Sequence, residues 1–301
     1  MSTGKTAAPA TAQTRRPDTG LPQLTGFLLR RAYVNAAVHA QACMGTDTHV
    51  REAAILAILD ERGALSQRVL ADLTHLNRTT MVKLVDSLER QGWVVRERNP
   101  DDRRSYALRL TTTGKKALAR LHAHFDEGER LFTDGLTSRE RTRLKRLLLD
   151  LLAGEEWLRV ASFEQHAGFL VAQAHRLVRG WALEALAPLE LDPRDFGVLS
   201  TIARDQPCSQ NHLAQVLGVT PPAALAFVEE LEQVGLVRRE RNSGDRRSYD
   251  LTLTPAGARK WARAQEGARQ VQAKVVGRLG VDEDVELRGL LSRVAQVDTA
   301  G

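Results

Sequence analysis

The chain has 301 residues, of which 43% are hydrophobic and 27% are charged, with a formal net charge of +6. This composition is typical of a globular protein, and the length accommodates two domains of ordinary size. No apolar run reaches the roughly 18–20 residues that a membrane span requires. Cys43 and Cys208 are the only cysteines, too few for a disulfide framework, so we expect a cytoplasmic protein without membrane contact.

Positive charge is concentrated in the first half of the chain. Residues 1–154 carry 25 Lys and Arg against 17 Asp and Glu, and the remainder carries 18 against 20. A basic first half suits a polyanionic partner. Residues 1–20, rich in Ala, Thr, Gly and Pro, have no apolar core and are expected to form a disordered tail without a signal peptide.

The apolar periodicity of the first half predicts helices followed by a hairpin and two more helices. In chain order these are helices at about 24–44 and 49–62, short helices capped by Ser66 and Asn77, a β-hairpin, a long helix from Thr111 and a last helix at 137–153. In the helix after Asn77, Met81, Leu84, Val85 and Leu88 recur at i, i+3, i+4 and i+7, which predicts one buried face.

The second half predicts the same order of elements. They are helices at 162–188 and 193–204, a short helix capped by Ser209, a helix with Thr220 as cap and Pro221 at its first position, a hairpin, a long helix from Pro255 and a last helix at 282–297. The turn between the two short helices holds Gly218 here and His75 in the first half, and we expect it to need a positive φ.

The two hairpins are near copies of each other. Residues 92–114 read GWVVRERNPDDRRSYALRLTTTG and residues 235–257 read GLVRRERNSGDRRSYDLTLTPAG, with identity at 15 of 23 positions. The repeat extends along the chain, which indicates a duplicated domain: a first unit at 21–154 and a second at 155–301. Two short helices followed by a basic hairpin predict a winged helix-turn-helix, and two of them suit double-stranded DNA.

The end of each hairpin carries Asp-x-Arg, five residues, Leu-Thr, two residues and Gly. The matching positions are Asp102, Arg104, Leu110, Thr111 and Gly114, and again Asp245, Arg247, Leu253, Thr254 and Gly257. With the helix-turn-helix pattern, the chain resembles the MarR family of bacterial transcriptional regulators twice over almost its whole length. Members of that family are usually homodimers with intertwined first and last helices.

The resemblance implies a mostly α fold with small β-wings. It further implies two winged helix-turn-helix units in a pseudo-two-fold arrangement, joined by intertwined N- and C-terminal helices. One polypeptide would then act as a monomer equivalent to a dimer, which leaves further oligomerisation open. The function expected is that of a sequence-specific, ligand-responsive transcriptional repressor that binds duplex DNA.

Candidate DNA-contacting side chains lie on the short helices and the wings. In the first unit they are Ser66, Gln67, Asn77, Arg78, Thr79, Thr80, Val82, Lys83, Arg96, Arg98, Asp102, Arg103 and Arg104. In the second unit they are Ser209, Gln210, Thr220, Arg239, Arg241, Asp245, Arg246 and Arg247. By resemblance, Arg104 and Arg247 would enter the minor groove, braced by the two aspartates. The alternative is that these residues are helix caps, solvated side chains and internal ion pairs.

The second recognition helix differs sharply from the first. Its outer positions are Pro222, Ala223, Leu225, Ala226 and Glu230, with Glu229 beside them. Such a face offers no long side-chain donor, so it could contact thymine methyl groups, leave DNA binding to neighbouring residues, or pack on protein. Together with the charge distribution, this favours the first unit as the stronger base reader.

A small-molecule pocket is implied by the resemblance, for an aromatic or phenolic effector. Its candidate lining residues are Tyr33, His39, Trp157, His175 and Trp181, with core or interface packing as the alternative. We expect no metal, no cofactor and no enzymatic activity, since no metal-like cluster or nucleophile–base constellation is visible. Rival interpretations are a protein-interaction scaffold built on the second unit and a redox switch at Cys43 or Cys208, the latter near a helix start that could lower its pKa.

Overall fold

The computed structural model describes most of the chain. The described ranges are 20–44, 50–74, 76–98, 106–155, 161–241 and 249–295. Among the helices of these ranges, none has both the length and the apolar content needed to cross a membrane.

The two halves have the same order of elements. In the first half these are α1 (Thr25–Met44), α2 (Val50–Arg62), β1 (Leu65–Ser66), α3 (Gln67–Thr74), α4 (Arg78–Arg90), β2 (Val94–Arg98), β3 (Tyr106–Leu110), α5 (Thr112–Phe132) and α6 (Ser138–Leu151). In the second half they are α7 (Ala167–Leu186), α8 (Pro193–Asp205), β4 (Cys208–Ser209), α9 (Gln210–Leu217), α10 (Pro221–Gln233), β5 (Val237–Arg241), β6 (Tyr249–Leu253), α11 (Pro255–Leu279) and α12 (Val281–Val294).

The helix starts are set by side-chain caps at the predicted positions. The Asn77 carboxamide accepts the Thr80 N–H at 2.8 Å, and the Ser66 and Ser209 hydroxyls accept N–H groups of their own helices at 3.2 Å. Thr220 caps α10 in the same way, with Pro221 at the first position. Gly218 has φ of 62°, which confirms the predicted left-handed turn, whereas its counterpart His75 lies outside the described residues.

Helix α7 is shorter than the sequence predicts, because it begins at Ala167 and not at 162. Residues 161–163 form a 3-10 turn instead, and Phe163 is fully buried. The Glu129 carboxylate then accepts the N–H groups of Ala167 and Gly168 at 2.8 and 3.1 Å, which fixes the helix start. The helix ends at Leu186, since the following 3-10 turn contains Pro188.

Each half contains a small antiparallel sheet behind its wing. The strand orders are β1-β3-β2 and β4-β6-β5, with equivalent registers such as Val94 opposite Leu110 and Val237 opposite Leu253. The prediction of a mostly helical fold with small β-wings and two winged helix-turn-helix units is confirmed.

The buried apolar residues of the described ranges form three cores. One lies in each winged domain, and the third is built by α1, α6, α7, α11 and α12 from both halves. The winged-domain cores also cross between halves. Leu21, at the start of the first half, packs in the second winged domain, and Phe163, at the start of the second, packs in the first. Residues from both sides of the 154/155 division therefore pack in the same cores.

The glycine that ends the wing motif is required by a close backbone contact. A Cβ on Gly114 would lie 2.1 Å from the Trp93 carbonyl oxygen, and one on Gly257 would lie 1.9 Å from that of Leu236. The preceding threonine explains this proximity. Thr111 donates its hydroxyl to the Gly92 carbonyl at 2.7 Å and accepts the Gly114 N–H at 3.0 Å, which ties the start of α5 to the wing base.

We predict that Gly114→Ala and Gly257→Ala each lower the free energy of unfolding by about 1–3 kcal/mol, because the backbone must move to admit the methyl group. Urea unfolding would measure the loss. Gly180→Ala in α7 is the matched control, since a Cβ there meets nothing within 4 Å and alanine favours the helix. Equal stability of Gly114→Ala and wild type would contradict the prediction.

Candidate nucleic-acid interface

Helix α4 presents a polar and cationic outer face. Arg78, Thr79, Val82 and Lys83 are exposed, as predicted, and Thr80 is half-buried. The opposite face is fixed in the core by Met81, Val85 and Leu88, while Leu84 is partly buried. Among the described residues, Arg78 and Lys83 have no ion-pair partner, so both cations are available to a ligand.

Helix α10 presents a different surface on the same scaffold. Pro222, Ala226 and Glu230 are exposed, and Ala223 and Leu225 are half-buried. Arg194 of α8 reaches Glu230 at 2.5 Å and lies over the Phe227 ring at 4.6 Å, so this guanidinium is already paired. The expectation that this face lacks a long side-chain donor agrees with its geometry.

An arginine of each wing is tied to the recognition helix before it. Arg96 of β2 contacts Asp86 at 2.9 Å and Glu89 at 3.3 Å on α4. The equivalent Arg239 of β5 contacts Glu232 and Glu229 on α10. Hydrogen bonding to Glu232 raises the pKa of Arg239. These two arginines thus form the internal ion pairs that the sequence left as an alternative, and we call them the wing braces.

The outer wing residues differ in how far the structure describes them. Arg98 and Arg241 are exposed at the strand ends, in register with Tyr106 and Tyr249. The wing-tip residues lie outside the described ranges: Asp102, Arg103, Arg104, Asp245, Arg246 and Arg247. The wing braces hold the strands from which these tips extend.

The polar residues at the start of α3 and α9 are used partly for capping. The Ser66 and Ser209 hydroxyls accept helix N–H groups, and Gln67 is half-buried. The Gln210 amide nitrogen is buried with no hydrogen-bond partner among the described residues. That atom is therefore not presented at the surface, in contrast to the predicted phosphate contact.

Two cavities lie between the shared helical core and the winged domains. The second-half cavity, about 460 Å³, is bordered by α1, α7 and α11 on one side and by α8, α9 and α10 on the other. The first-half cavity, about 870 Å³, is bordered by α1, α2, α5 and α7. His175 lines the former and Tyr33 the latter, and their rings stack with centroids 5.1 Å apart.

The other predicted pocket residues are placed elsewhere. Trp181 packs beneath Arg278, whose guanidinium carbon is 4.9 Å from the ring centroid, and neither Trp181 nor His39 is among the described residues lining the two cavities. Trp157 lies outside the described residues. For Trp181 the alternative of interface packing applies, since Arg278 also donates to the carbonyl of Leu151 at 3.0 Å.

Three arginines and one aspartate line the second-half cavity together with His175. Arg179 pairs with Asp192, and Arg194 pairs with Asp195 and Glu230. Arg30 donates to the Leu217 carbonyl at 2.5 Å. Burial, reinforced by the charges of Arg30, Arg179 and Arg176, lowers the pKa of His175 to about 4. The position equivalent to Arg30 on α7 is Ala172, so the first-half cavity has no cation there.

Neither thiol has the electrostatics of a reactive cysteine. Burial, together with Asp205 and Asp250, raises the pKa of Cys208 to about 11, which is opposite to the shift that the rival redox switch would need. The residue is in β4, directly before Ser209, which caps α9. Burial and Glu127 also raise the pKa of Cys43. Both shifts reduce the thiolate fraction that a redox switch would need.

Comparison with known proteins identifies the family. The MarR family model matches residues 50–106, and a second model of that family matches residues 189–248. A transcriptional regulatory protein named for the hcr operon of Thauera aromatica is 34% identical over 125 residues, which are 41% of this chain and 75% of that protein. The chain belongs to the MarR family.

Other regulators match segments of similar length. An HTH-type transcriptional repressor of Mycobacterium tuberculosis is 29% identical over 127 residues, covering 42% of this chain and 91% of that protein. Among solved structures, the repressor CouR bound to a 23-mer DNA duplex is 29% identical, covers 46% of this chain and 98% of its own, and gives a TM-score of 0.44. These relatives carry the names of transcriptional regulators or repressors.

Sequence reasoning missed the contacts that join the halves to each other. Arg31 of α1 donates to the Val216 carbonyl at 3.1 Å, and Arg176 of α7 donates to the Leu73 carbonyl at 3.4 Å. Val216 and Leu73 are equivalent in the repeat, at the C-terminal ends of α9 and α3. The wing braces could have been found in the sequence, because both copies carry two acidic residues ten and seven positions before the arginine: Asp86, Glu89 and Arg96, and Glu229, Glu232 and Arg239.

We predict that stability falls as the pH drops from 6.5 to 4, in part because of His175. Its folded pKa of about 4 lies below the ordinary 6.5, so the folded state favours the neutral ring. Its contribution is present above pH 6.5 and is lost as the ring is protonated in the unfolded chain.

His175→Phe keeps an aromatic ring against Tyr33 but cannot titrate. Between pH 7 and pH 4, the unfolding free energy of this variant should fall by about 3 kcal/mol less than that of wild type. Urea unfolding at both pH values measures the difference. Parallel changes in the two proteins would contradict the assignment.

Proposed function

We propose that this protein is a sequence-specific duplex-DNA-binding repressor in which one chain supplies both winged helix-turn-helix domains. The observation that carries the proposal is the repeated geometry of recognition helix and wing. Arg96 with Asp86 and Glu89, and Arg239 with Glu229 and Glu232, fix the two elements in the same relation in both halves. Relatives that match 38–42% of this chain carry the name of transcriptional repressors.

We assign the wing-brace arginines a positioning role instead of direct DNA contact. Each already has two carboxylate partners, so a phosphate would have to compete with them. DNA contact is assigned to the exposed α4 residues Arg78, Thr79, Val82 and Lys83, to Arg98 and Arg241, and to the wing tips. Phosphate contacts by such cations make binding strongly dependent on salt.

The first half is proposed to carry most of the base-specific contacts. Arg and Lys side chains can donate to base edges, whereas Pro222 and Ala226 on α10 can offer only apolar contact. The matched positions are Lys83 and Ala226, which are equivalent in the repeat. Lys83 is exposed on α4 without an ion pair in the described part of the chain, so its ammonium is available to donate to a base edge or to a phosphate.

We predict that Lys83→Ala weakens binding to a duplex located by footprinting the DNA upstream of the gene. If the lysine neutralises one phosphate, the slope of log K against log salt should fall by about 0.9. The reciprocal variant Ala226→Lys should raise the slope by about the same amount if α10 faces DNA. Electrophoretic shifts at several salt concentrations measure both.

Two outcomes would contradict parts of this proposal. The asymmetry of the halves fails if Arg104→Ala weakens binding no more than a substitution on the outer face of α10. An unchanged slope in Ala226→Lys would instead favour a second candidate function, in which the exposed Pro222 and Ala226 bind a protein partner.

The second-half cavity is proposed as an effector site for an aromatic or phenolic ligand. Arg30 favours a ligand that also carries negative charge, since its partner in the contacts described is a carbonyl and not a carboxylate. The cavity lies between the winged domain and α1 of the other half. A ligand that fits one spacing of these elements better than another would shift the equilibrium between them.

We predict that benzoate raises the thermal unfolding temperature of the protein and that phenol does so less. Ala182→Phe narrows the second-half cavity and should abolish the response to benzoate, because the ring occupies ligand space. The matched variant Ala172→Phe narrows the first-half cavity and should leave the response intact. If benzoate raised the unfolding temperature of Ala182→Phe as much as that of wild type, the assignment of the effector to this cavity would be wrong.

A further inference from the structure

The last helices of the two halves are opposite in charge although they share one apolar pattern. Leu144, Leu147 and Leu148 of α6 are buried, and so are Leu287, Leu290 and Leu291 at equivalent positions of α12. Yet α6 contains five basic and two acidic residues, whereas α12 contains two basic and four acidic residues. The two helices pack against each other, so the charge difference is complementary.

Equivalent positions of the repeat face each other across this contact. Arg143 of α6 and Glu286 of α12 are 143 positions apart, and the guanidinium Nε and Nη2 lie 2.9 and 2.7 Å from the Glu286 Oε2. Glu283 is 4.0 Å from the same guanidinium, and Arg293 of α12 pairs with Glu140 of α6. Two copies of the first half would place Arg143 against Arg143, and two copies of the second would place Glu286 against Glu286.

A buried polar cluster also crosses between the halves. Asp284 of α12 is 2% exposed, and its carboxylate accepts the Thr25 hydroxyl at 2.5 Å, the Gln272 amide at 2.9 Å and the Arg288 guanidinium at 3.0 Å. Thr25 alone comes from the first half, and its counterpart in the second is Ala167. In a pair of second halves Asp284 would lose that donor, which is costly for a buried carboxylate.

Two stacked rings also join unlike residues at equivalent positions of the two halves. Tyr33 and His175 occupy equivalent positions of α1 and α7, since 26–28 and 168–170 carry the same Gly-Phe-Leu sequence. A symmetric dimer would pair each ring with its own copy. Here they are different residues, and His175 also lines the second-half cavity.

We propose that the surface between the halves is specific for unlike halves: each accepts the other half and disfavours a second copy of itself. One exposed ion pair contributes little, but like charges at the same place repel, and the buried Asp284 adds a hydrogen-bond requirement. The consequence is a closed chain whose first half pairs with its own second half and does not build swapped assemblies through like halves.

Charge reversal in the full chain tests the ionic part of this surface. Arg143→Glu recreates the glutamate pair of two second halves, and Glu286→Arg recreates the arginine pair of two first halves. Each should lower the unfolding temperature by about 2–4 °C, and the double variant should recover most of the loss. Lys116→Glu on the exposed face of α5 is the matched control for net charge and should leave the unfolding temperature unchanged. The proposal would be overturned if the single variants had the unfolding temperature of wild type. It would also be overturned if the double variant unfolded at a temperature no higher than either single variant.

Partner choice is tested directly with the full chain carrying a protease site after Glu155. Two preparations, with different tags on the first half, are nicked, mixed, unfolded in guanidinium and refolded together. Capture of one tag should recover second halves in equal amount and little of the other tagged first half. Substantial recovery of the other first half would overturn the proposal, because an unselective interface would form like pairs.

Discussion

The packing of α1, α6, α7, α11 and α12 into one apolar core is the constraint on which the other features depend. This core takes its side chains from both halves, so neither winged domain is anchored by its own half alone. Leu21 and Phe163 extend the exchange into the winged domains themselves. The distance between the two recognition helices is therefore set by close-packed side chains and not by a linker, and packed cores change between discrete arrangements more readily than they deform.

Within each winged domain the geometry has been kept while the chemistry of the outer face has changed. Gly114 and Gly257 admit the same close carbonyl contact, and the two wing braces keep the same ion pairs. Lys83 and Ala226 then stand at equivalent places on equivalent helices. Because backbone and brace are preserved, a difference in DNA contact between the halves would arise from side chains alone, which makes single substitutions between the two copies informative.

The sequence was sufficient for elements whose causes are local. The caps at Asn77 and Thr220, the left-handed Gly218 and the buried stripe of α4 depend on neighbouring residues, and each was predicted. The start of α7 was misplaced because Glu129, which fixes it, lies 38 positions earlier in the chain. Periodicity cannot reveal such a partner.

The sites show the same limit. Exposure of Arg78 and Lys83 follows from helical phase, and it was predicted. The engagement of Arg96 by Asp86 and Glu89 depends on how the wing meets the helix, so a basic residue assigned to DNA proved to be internally paired. For Cys208, the nearby start of α9 is visible in the sequence, but the burial that raises the pKa of its thiol depends on tertiary packing.

The two cavities show how a duplicated chain can respond unequally to one ligand. Arg30 and Arg31 join α1 to the end of α9, whereas α7 reaches the end of α3 through Arg176. Under the proposed function, an anion in the second-half cavity would compete with the Leu217 carbonyl for Arg30, and Ala172 offers no such group in the other half. The ligand would then act on one of the two attachments, and only to the extent that it binds the displaced arrangement more tightly. A change in the position of one winged domain alone would then prevent both recognition helices from contacting the same rigid duplex at once.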